Sequence, residues 1–215
     1  MSAREEILRR ARAALADVDA SSPESDVPVE WTYGQPVDVG DVLETFIDRL
    51  EDYKATVNRC GPDEIPAAIA AGLEATGAKT VIVPTGVDDS WLAQTSAEII
   101  REDSDAPYSP AQLNEIDAVV SACAVAASMT GTIILDHGPD QGRRALSLVP
   151  DRHICVVRVD QVVSGVPEAV ARLRDSVAAK RPQTWISGPS ATSDIELERV
   201  EGVHGPRQLY VVIAG

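Results

Sequence analysis

Three short stretches bring hydroxyls, arginines, acids and glycines close enough together to handle a small anion. Residues 187–196 read SGPSATSDIE, residues 203–206 read VHGP, and residues 130–147 read TGTIILDHGPDQGRRALS. A serine elbow needs a glycine two positions past the nucleophile, but Thr192 stands there after Ser190, and Pro189 stiffens the turn before it. Acyl transfer at Ser190 is therefore disfavoured. Ser193 and Glu196 spell a capping box, so TWISG reads as a strand that leads into a helix. Free N–H groups at that helix start, beside the Ser190 and Thr192 hydroxyls, suit a carboxylate or a phosphate. The same side chains serve equally well as caps alone, and both readings stay open. Arg143 and Arg144 follow a glycine-rich turn; in so acidic a chain they are either clamps on an anionic ligand or solvated surface charges.

Other chemistries lack their residues. The chain has no GxxxxGK[ST], no GxGxxG and no HExxH. His137, His153 and His204 are far apart without ligand spacing, and His153, leading an apolar strand, reads as structural. Asp194, Glu196 and His204 form the one grouping that could converge on a metal, and the expectation is that none is bound. Cys60, Cys123 and Cys155 show no CxxC spacing and read as buried free thiols. With 34 acids against 19 bases and a net charge of −15, no basic face for nucleic acid is available. No apolar run approaches the ~20 residues of a membrane span, and MSAREEILRRARAAL lacks the apolar centre of a secretory signal. The expected location is cytoplasmic.

These stretches need a scaffold, and the hydrophobic pattern supplies one. Aromatics make up 4% of the chain, so the core is built from Ala, Val, Ile and Leu. Ser2 and Glu5 box the start of a short helix with an Ile7, Leu8, Ala11, Leu15 stripe. A Pro-, Ser- and Asp-containing stretch follows, so residues 1–37 read as a helix with a linker arm and residues 38–215 as the α/β domain. Exchange of that first helix between copies would make a homodimer. The spacing of Val39, Val42, Leu43, Phe46, Ile47 and Leu50 predicts a helix over 38–54. Strand 55–60, helix 62–76 and strand 79–84 form a β–α–β unit, which favours a parallel sheet. Helices are expected around Trp91–Ile100, over 109–116 and over 166–180. Strands are expected over 117–123, 130–136, 153–159, 184–188 and 208–215. Consecutive strands without helices between them imply an antiparallel or mixed section.

TGTIIL at 130–135, GRRALSLVP at 142–150, HICVV at 153–157, SGPSATSDIE and GVHGP occur in order over about residues 115–215. This series resembles the LUD-domain family, in its C-type lactate-utilization group. The resemblance implies an α/β fold, three layers α/β/α around a mixed, mostly parallel sheet, similar to the NagB/RpiA/CoA-transferase-like class. It implies a component of L-lactate oxidation to pyruvate without a redox cofactor of its own. Such a component would work beside iron–sulfur partner subunits and bind a small anionic ligand. Matched motif by motif, the ligand-binding candidates are Thr130, Gly131, Thr132, Arg143, Ser147, Gly188, Pro189, Ser190, Asp194, Glu196, His204 and Gly205. The family usually places a Glu just before its Thr- or Ser-Gly-Thr motif; here Met129, preceded by Ser128, occupies the position. A stand-alone sugar-phosphate isomerase or CoA-transferase-like enzyme on the same fold is the alternative.

Overall fold

The computed structural model describes residues 2–18, 21, 35–102, 105–192, 200–201 and 205–215. The chain divides into two compact units, residues 1–33 and 34–215. The first contains α1 (Ala3–Ala14), opened by the reciprocal Ser2–Glu5 capping box. No residue of α1 is buried, and Ile7, Leu8 and the following Leu15 are exposed.

The second unit begins with α2 (Val42–Asp52), where the Asp41 carboxylate accepts from the amides of Leu43 and Glu44 and thereby caps the first turn. Chain order then runs β1 (Thr56–Cys60), α3 (Ile65–Thr76), β2 (Thr80–Val83), β3 (Glu98–Arg101), α4 (Pro110–Asn114) and β4 (Ala118–Ala122). β5 (Val125–Ala127), β6 (Thr132–Leu135), β7 (Arg152–Arg158) and β8 (Val162–Val163) follow. The last elements are α5 (Val166–Arg172), α6 (Arg174–Ala178), β9 (Thr184–Ile186), β10 (Ala191–Thr192), β11 (Val200–Glu201) and β12 (Gln208–Ala214).

Six strands form one sheet in the order β1-β12-β7-β4-β2-β3, every neighbouring pair parallel. The last strand is thus inserted between the first and the seventh, with Thr56 opposite Tyr210 and Tyr210 opposite Ile154. The remaining strands of the mixed pattern form a second sheet, β8-β5-β6-β9, antiparallel across β5–β6–β9 and parallel at β5–β8. The α/β class expected above is therefore observed, but in place of one mixed sheet there is a wholly parallel sheet and a separate mixed one. On one face of the parallel sheet, Ile69 and Leu73 of α3 pack on Val81, Val120, Ile154 and Val212. The other face carries Cys155, Val211 and Ile213 against Ile133 and Leu135 of the second sheet and Phe46 and Leu50 of α2. Beyond the second sheet, Ala169 of α5 and Leu173 close over Val125 and Ile134. Alternating residues along β7 and β12 thus serve two different cores, which is why both strands read as near-continuous apolar runs.

Two expectations fail locally. Around Trp91–Ile100 the chain forms a short 3-10 turn at Asp89–Leu92 and then the edge strand β3. Trp91, Leu92, Ile99 and Ile100 imitate helical spacing, but pairing with β2 claims residues 98–101. The helix over 166–180 is interrupted at Leu173, where α5 ends and α6 begins.

One carboxylate ties three strand entrances together. Asp117 Oδ2 accepts from the amides of Lys79 and Thr80 at 2.9 and 3.0 Å and from the Thr80 hydroxyl at 3.2 Å. Arg152 Nη1 lies 3.3 Å from Oδ1. The Lys79 amide chiefly holds the Asp117 carboxyl below its ordinary range, with Thr80 and Arg152 adding to it against the opposing effect of partial burial. A depressed folded-state value means this stabilisation is complete above the unfolded carboxyl value near about 3.9 and is lost as pH falls through the folded one. Asp117→Asn is expected to cost about 1 kcal/mol at pH 7. Chemical denaturation of both proteins between neutral and strongly acidic pH should show the gap closing at the acid end; a constant gap would remove the charge from the explanation.

Candidate functional site

A parallel sheet presents all its carboxyl ends at one edge, and ligands gather where the strand order reverses. Here the chain leaves β2 toward β3 but leaves β4 toward β7, so the reversal lies between β2 and β4. The turn 136–142 fills that crevice: Gly86 N donates to Pro139 O at 2.9 Å, and Ala122 N to Asp140 O at 3.0 Å. The buried Asp136 carboxylate anchors the turn, accepting from Arg181 at 2.6 Å and from the amide of Gly138 at 3.2 Å. His137 joins it to the second sheet, Nδ1 lying 2.8 Å from Gly142 O and Nε2 2.9 Å from Thr184 Oγ1.

Beside this turn, at the carboxyl ends of β2 and β3, lies a cavity of about 190 Å³ lined by Pro84, Thr85, Glu102, Pro107, Gly142 and Arg143. Arg143 Nε donates to Glu102 Oε1 at 2.7 Å, and its Nη2 donates to the Tyr108 carbonyl. The Glu102 side chain is 7% exposed and that of Arg143 36%, so the acid is buried while its partner reaches the cavity. Arg144 points to solvent, so the two adjacent arginines do not act together.

From Arg143 a 3-10 turn, Arg144–Ser147, crosses the sheet, with Leu146 packed on Ile82 and Val119. The chain thereby travels from the carboxyl edge to the amino edge, where β7 begins at Arg152. Ser147 consequently faces a different cavity, of about 210 Å³, shared with Ser187, Gly188, Pro189, Ser190 and Gly205. Ser190 N donates to Pro206 O at 2.8 Å, which joins the SGPS and HGP stretches. Thr132 Oγ1 is 2.9 Å from Ser187 Oγ and 2.8 Å from Thr130 Oγ1, so the TGT turn belongs to the same neighbourhood. Gly131 and Gly188 have φ of 57° and 86° and lie against the end of α2. A Cβ at Gly131 would meet Arg49 Cβ at 2.7 Å, and one at Gly188 would meet Tyr53 Cβ at 2.6 Å.

Five sequence candidates, Ser147, Gly188, Pro189, Ser190 and Gly205, thus line one cavity, with Thr130, Gly131 and Thr132 adjoining it. Arg143 faces the other cavity. The structure does not bring Arg143 and Ser190 to a common ligand position. Past Ser190 the chain enters β10, which pairs antiparallel with β11, Thr192 opposite Val200. The helix expected after Ser193, and with it Asp194, Glu196 and His204, lies outside the described residues. Met129 is half-exposed, and Ser128 before it is buried with its hydroxyl on Val42 O.

Sequence reasoning missed Glu102 and Thr85, because an acid and a threonine in loops after short strands carry no spacing signal. A correct assignment of β3 would have put Glu102 at a carboxyl end. Cys123 and Cys155 are fully enclosed in the core between the sheets, away from both cavities, while Cys60 is only half-buried, on the α3 side of the parallel sheet. The neighbouring Cys123, and then His153, hold the Cys155 thiol below its ordinary range against the effect of burial, while Cys155 and burial push the Cys123 thiol up. His153 Nε2 is 2.8 Å from Ser121 Oγ, but its buried Nδ1 has no partner among the described residues, so the structural reading is only half satisfied. Among the described residues no three acids, histidines or cysteines could hold a metal, and no helix is long and apolar enough to cross a membrane.

A family model described as LUD domain matches residues 43–214. A protein named Lactate utilization protein C from Deinococcus radiodurans is 49% identical over 210 residues, covering 98% of this chain and 94% of that one. A protein of the same name from Geobacillus thermodenitrificans is 25% identical over 213 residues, covering 90% and 87%. The crystal structure of a DUF162 family protein from Deinococcus radiodurans superposes with a TM-score of 0.71 at 47% identity, covering 84% of this chain and all of that one.

Proposed function

The chain belongs to the LUD-domain family, and from that premise we propose that it is a component of an L-lactate utilization system. In this reading it is a subunit without a redox centre of its own, which binds a small anion and works beside iron–sulfur partners. The observation that carries the role is the likeness at 49% identity, over 98% of the chain, to a protein named for lactate utilization. Three dispersed cysteines without cluster spacing support leaving the redox work to partners. For the anion, the Arg143 cavity is favoured over the serine-lined one. It lies at the carboxyl ends of the parallel strands and has a guanidinium in its wall, whereas the described lining of the other cavity contains no cation.

Calorimetric titration of the purified chain with L-lactate is expected to give saturable binding. The tagged chain, expressed in its native host growing on lactate, should retrieve iron–sulfur proteins. The absence of binding by any short carboxylate, together with unimpaired growth on lactate after deletion of the gene, would sink the proposal.

A further inference from the structure

We infer that Glu102 makes the Arg143 cavity selective for short 2-hydroxy acids over the corresponding 2-oxo acids. The inference rests on the anion-binding reading above and adds a specificity-determining residue to it. Arg143 commits Nε to Glu102 and one Nη2 hydrogen to the Tyr108 carbonyl. A guanidinium has five N–H donors, so the Nη1 hydrogens remain to engage a ligand carboxylate; among the described residues nothing accepts from them. Glu102 Oε1 receives the Arg143 Nε hydrogen, and Oε2 accepts from no described residue.

The chemistry of that arrangement is directional. An ionised carboxylate offers acceptors only. A ligand whose carboxylate sits on Arg143 therefore places its 2-substituent near a group that can receive a hydrogen bond and cannot give one. A hydroxyl satisfies that oxygen by donating. A ketone cannot donate, and it sets its own lone pairs against a buried negative charge. A site built to pair with a ligand hydroxyl rejects the analogue without one far more strongly than a missing methylene is rejected. Pro84 and Pro107 supply the apolar wall that a methyl group needs. The cavity of about 190 Å³ has room for a three-carbon hydroxy acid. The charge on Glu102 also opposes dianions, because a second negative group in this space would lie beside it without a second cation.

The test compares the affinities of L-lactate and pyruvate for the full chain and for Glu102→Gln, with a thermal melt to check folding. The wild-type chain is expected to prefer L-lactate by about tenfold or more. In Glu102→Gln the amide can turn its NH₂ toward a ketone oxygen, so the ratio should fall to within about threefold, chiefly through tighter pyruvate binding. Both acids binding with a ratio that the substitution leaves unchanged overturns the selectivity and leaves the anion-binding reading standing. Neither acid binding the wild-type chain overturns both. Should Glu102→Gln not fold, Glu102→Asp keeps the charge but shortens its reach, and must weaken L-lactate more than pyruvate; equal weakening of the two counts against Glu102.

Discussion

Replacing Gly188 by alanine is expected to lower the melting temperature by about 9 °C. Gly188 sits at φ 86°, where an L side chain is strained, and a Cβ there would lie 2.6 Å from Tyr53 Cβ. The backbone conformation costs roughly 1–2 kcal/mol and the overpacking roughly 1–3 kcal/mol, together about 3 kcal/mol. For a chain of this size each kcal/mol corresponds to roughly 2–4 °C. Gly40 provides the control: its φ of 71° is similarly left-handed, but nothing lies within 4 Å of a Cβ there. Gly40→Ala should lose only the conformational part, about 1 kcal/mol. Calorimetric melts of the two variants separate strain from contact, and equal losses would mean that α2 yields freely to the new methyl group. Because Gly188 also lines the serine-rich cavity, its variant reports how far that cavity depends on the seat of α2.

Arg143→Ala is expected to damage stability and binding through separate physical causes. The side chain of Glu102 is 7% exposed, and loss of Arg143 removes the cation that offsets its burial. Breaking a fully buried pair costs roughly 3–5 kcal/mol; with Arg143 reaching solvent, about 2 kcal/mol is expected here. Adding Glu102→Gln removes the stranded charge and should recover about half of that loss. L-lactate binding should be lost in the single and the double variant alike, since neither retains the guanidinium. Melts and titrations of the four proteins in this cycle decide the matter. Undiminished destabilisation in the double variant would trace the loss to packing rather than to charge.

Much of the scaffold was legible because strong periodicity reports burial directly. The stripe of α2, the β1–α3–β2 unit and the apolar runs of β7 and β12 all appear in the pattern, since each is packed on at least one full face. β3 was misread as helix because an edge strand needs partners on one side only, so the spacing of its isoleucines is weakly constrained. β5 and β8 are too short to show a period, and β5 is made of Val and Ala alone. The split into two sheets was hidden as well, because residues buried on both sides look alike whichever sheet they join.

The candidate site was legible as a set of motifs and illegible as a geometry. SGPS and GVHGP do meet, through the bond between Ser190 and Pro206. Arg143 and Ser147 are four residues apart, yet a single turn puts them in the walls of two different cavities, a separation that depends on where neighbouring strands begin and end. Glu102 comes to Arg143 from forty-one positions away, beyond any local spacing rule.

The order of the parallel sheet also sets a schedule. β1 is synthesised early, but its only partner among the described residues is β12, roughly 150 residues later. At roughly 5–20 residues per second, a growing chain keeps β1 unpaired for about 7–30 s and the outer side of β7, which precedes β12 by about 50 residues, for about 2.5–10 s. Until then those strand edges are open to other chains, and the parallel sheet cannot close before β12 leaves the ribosome. Loss of Gln208–Ala214 would remove an interior strand rather than trim an edge.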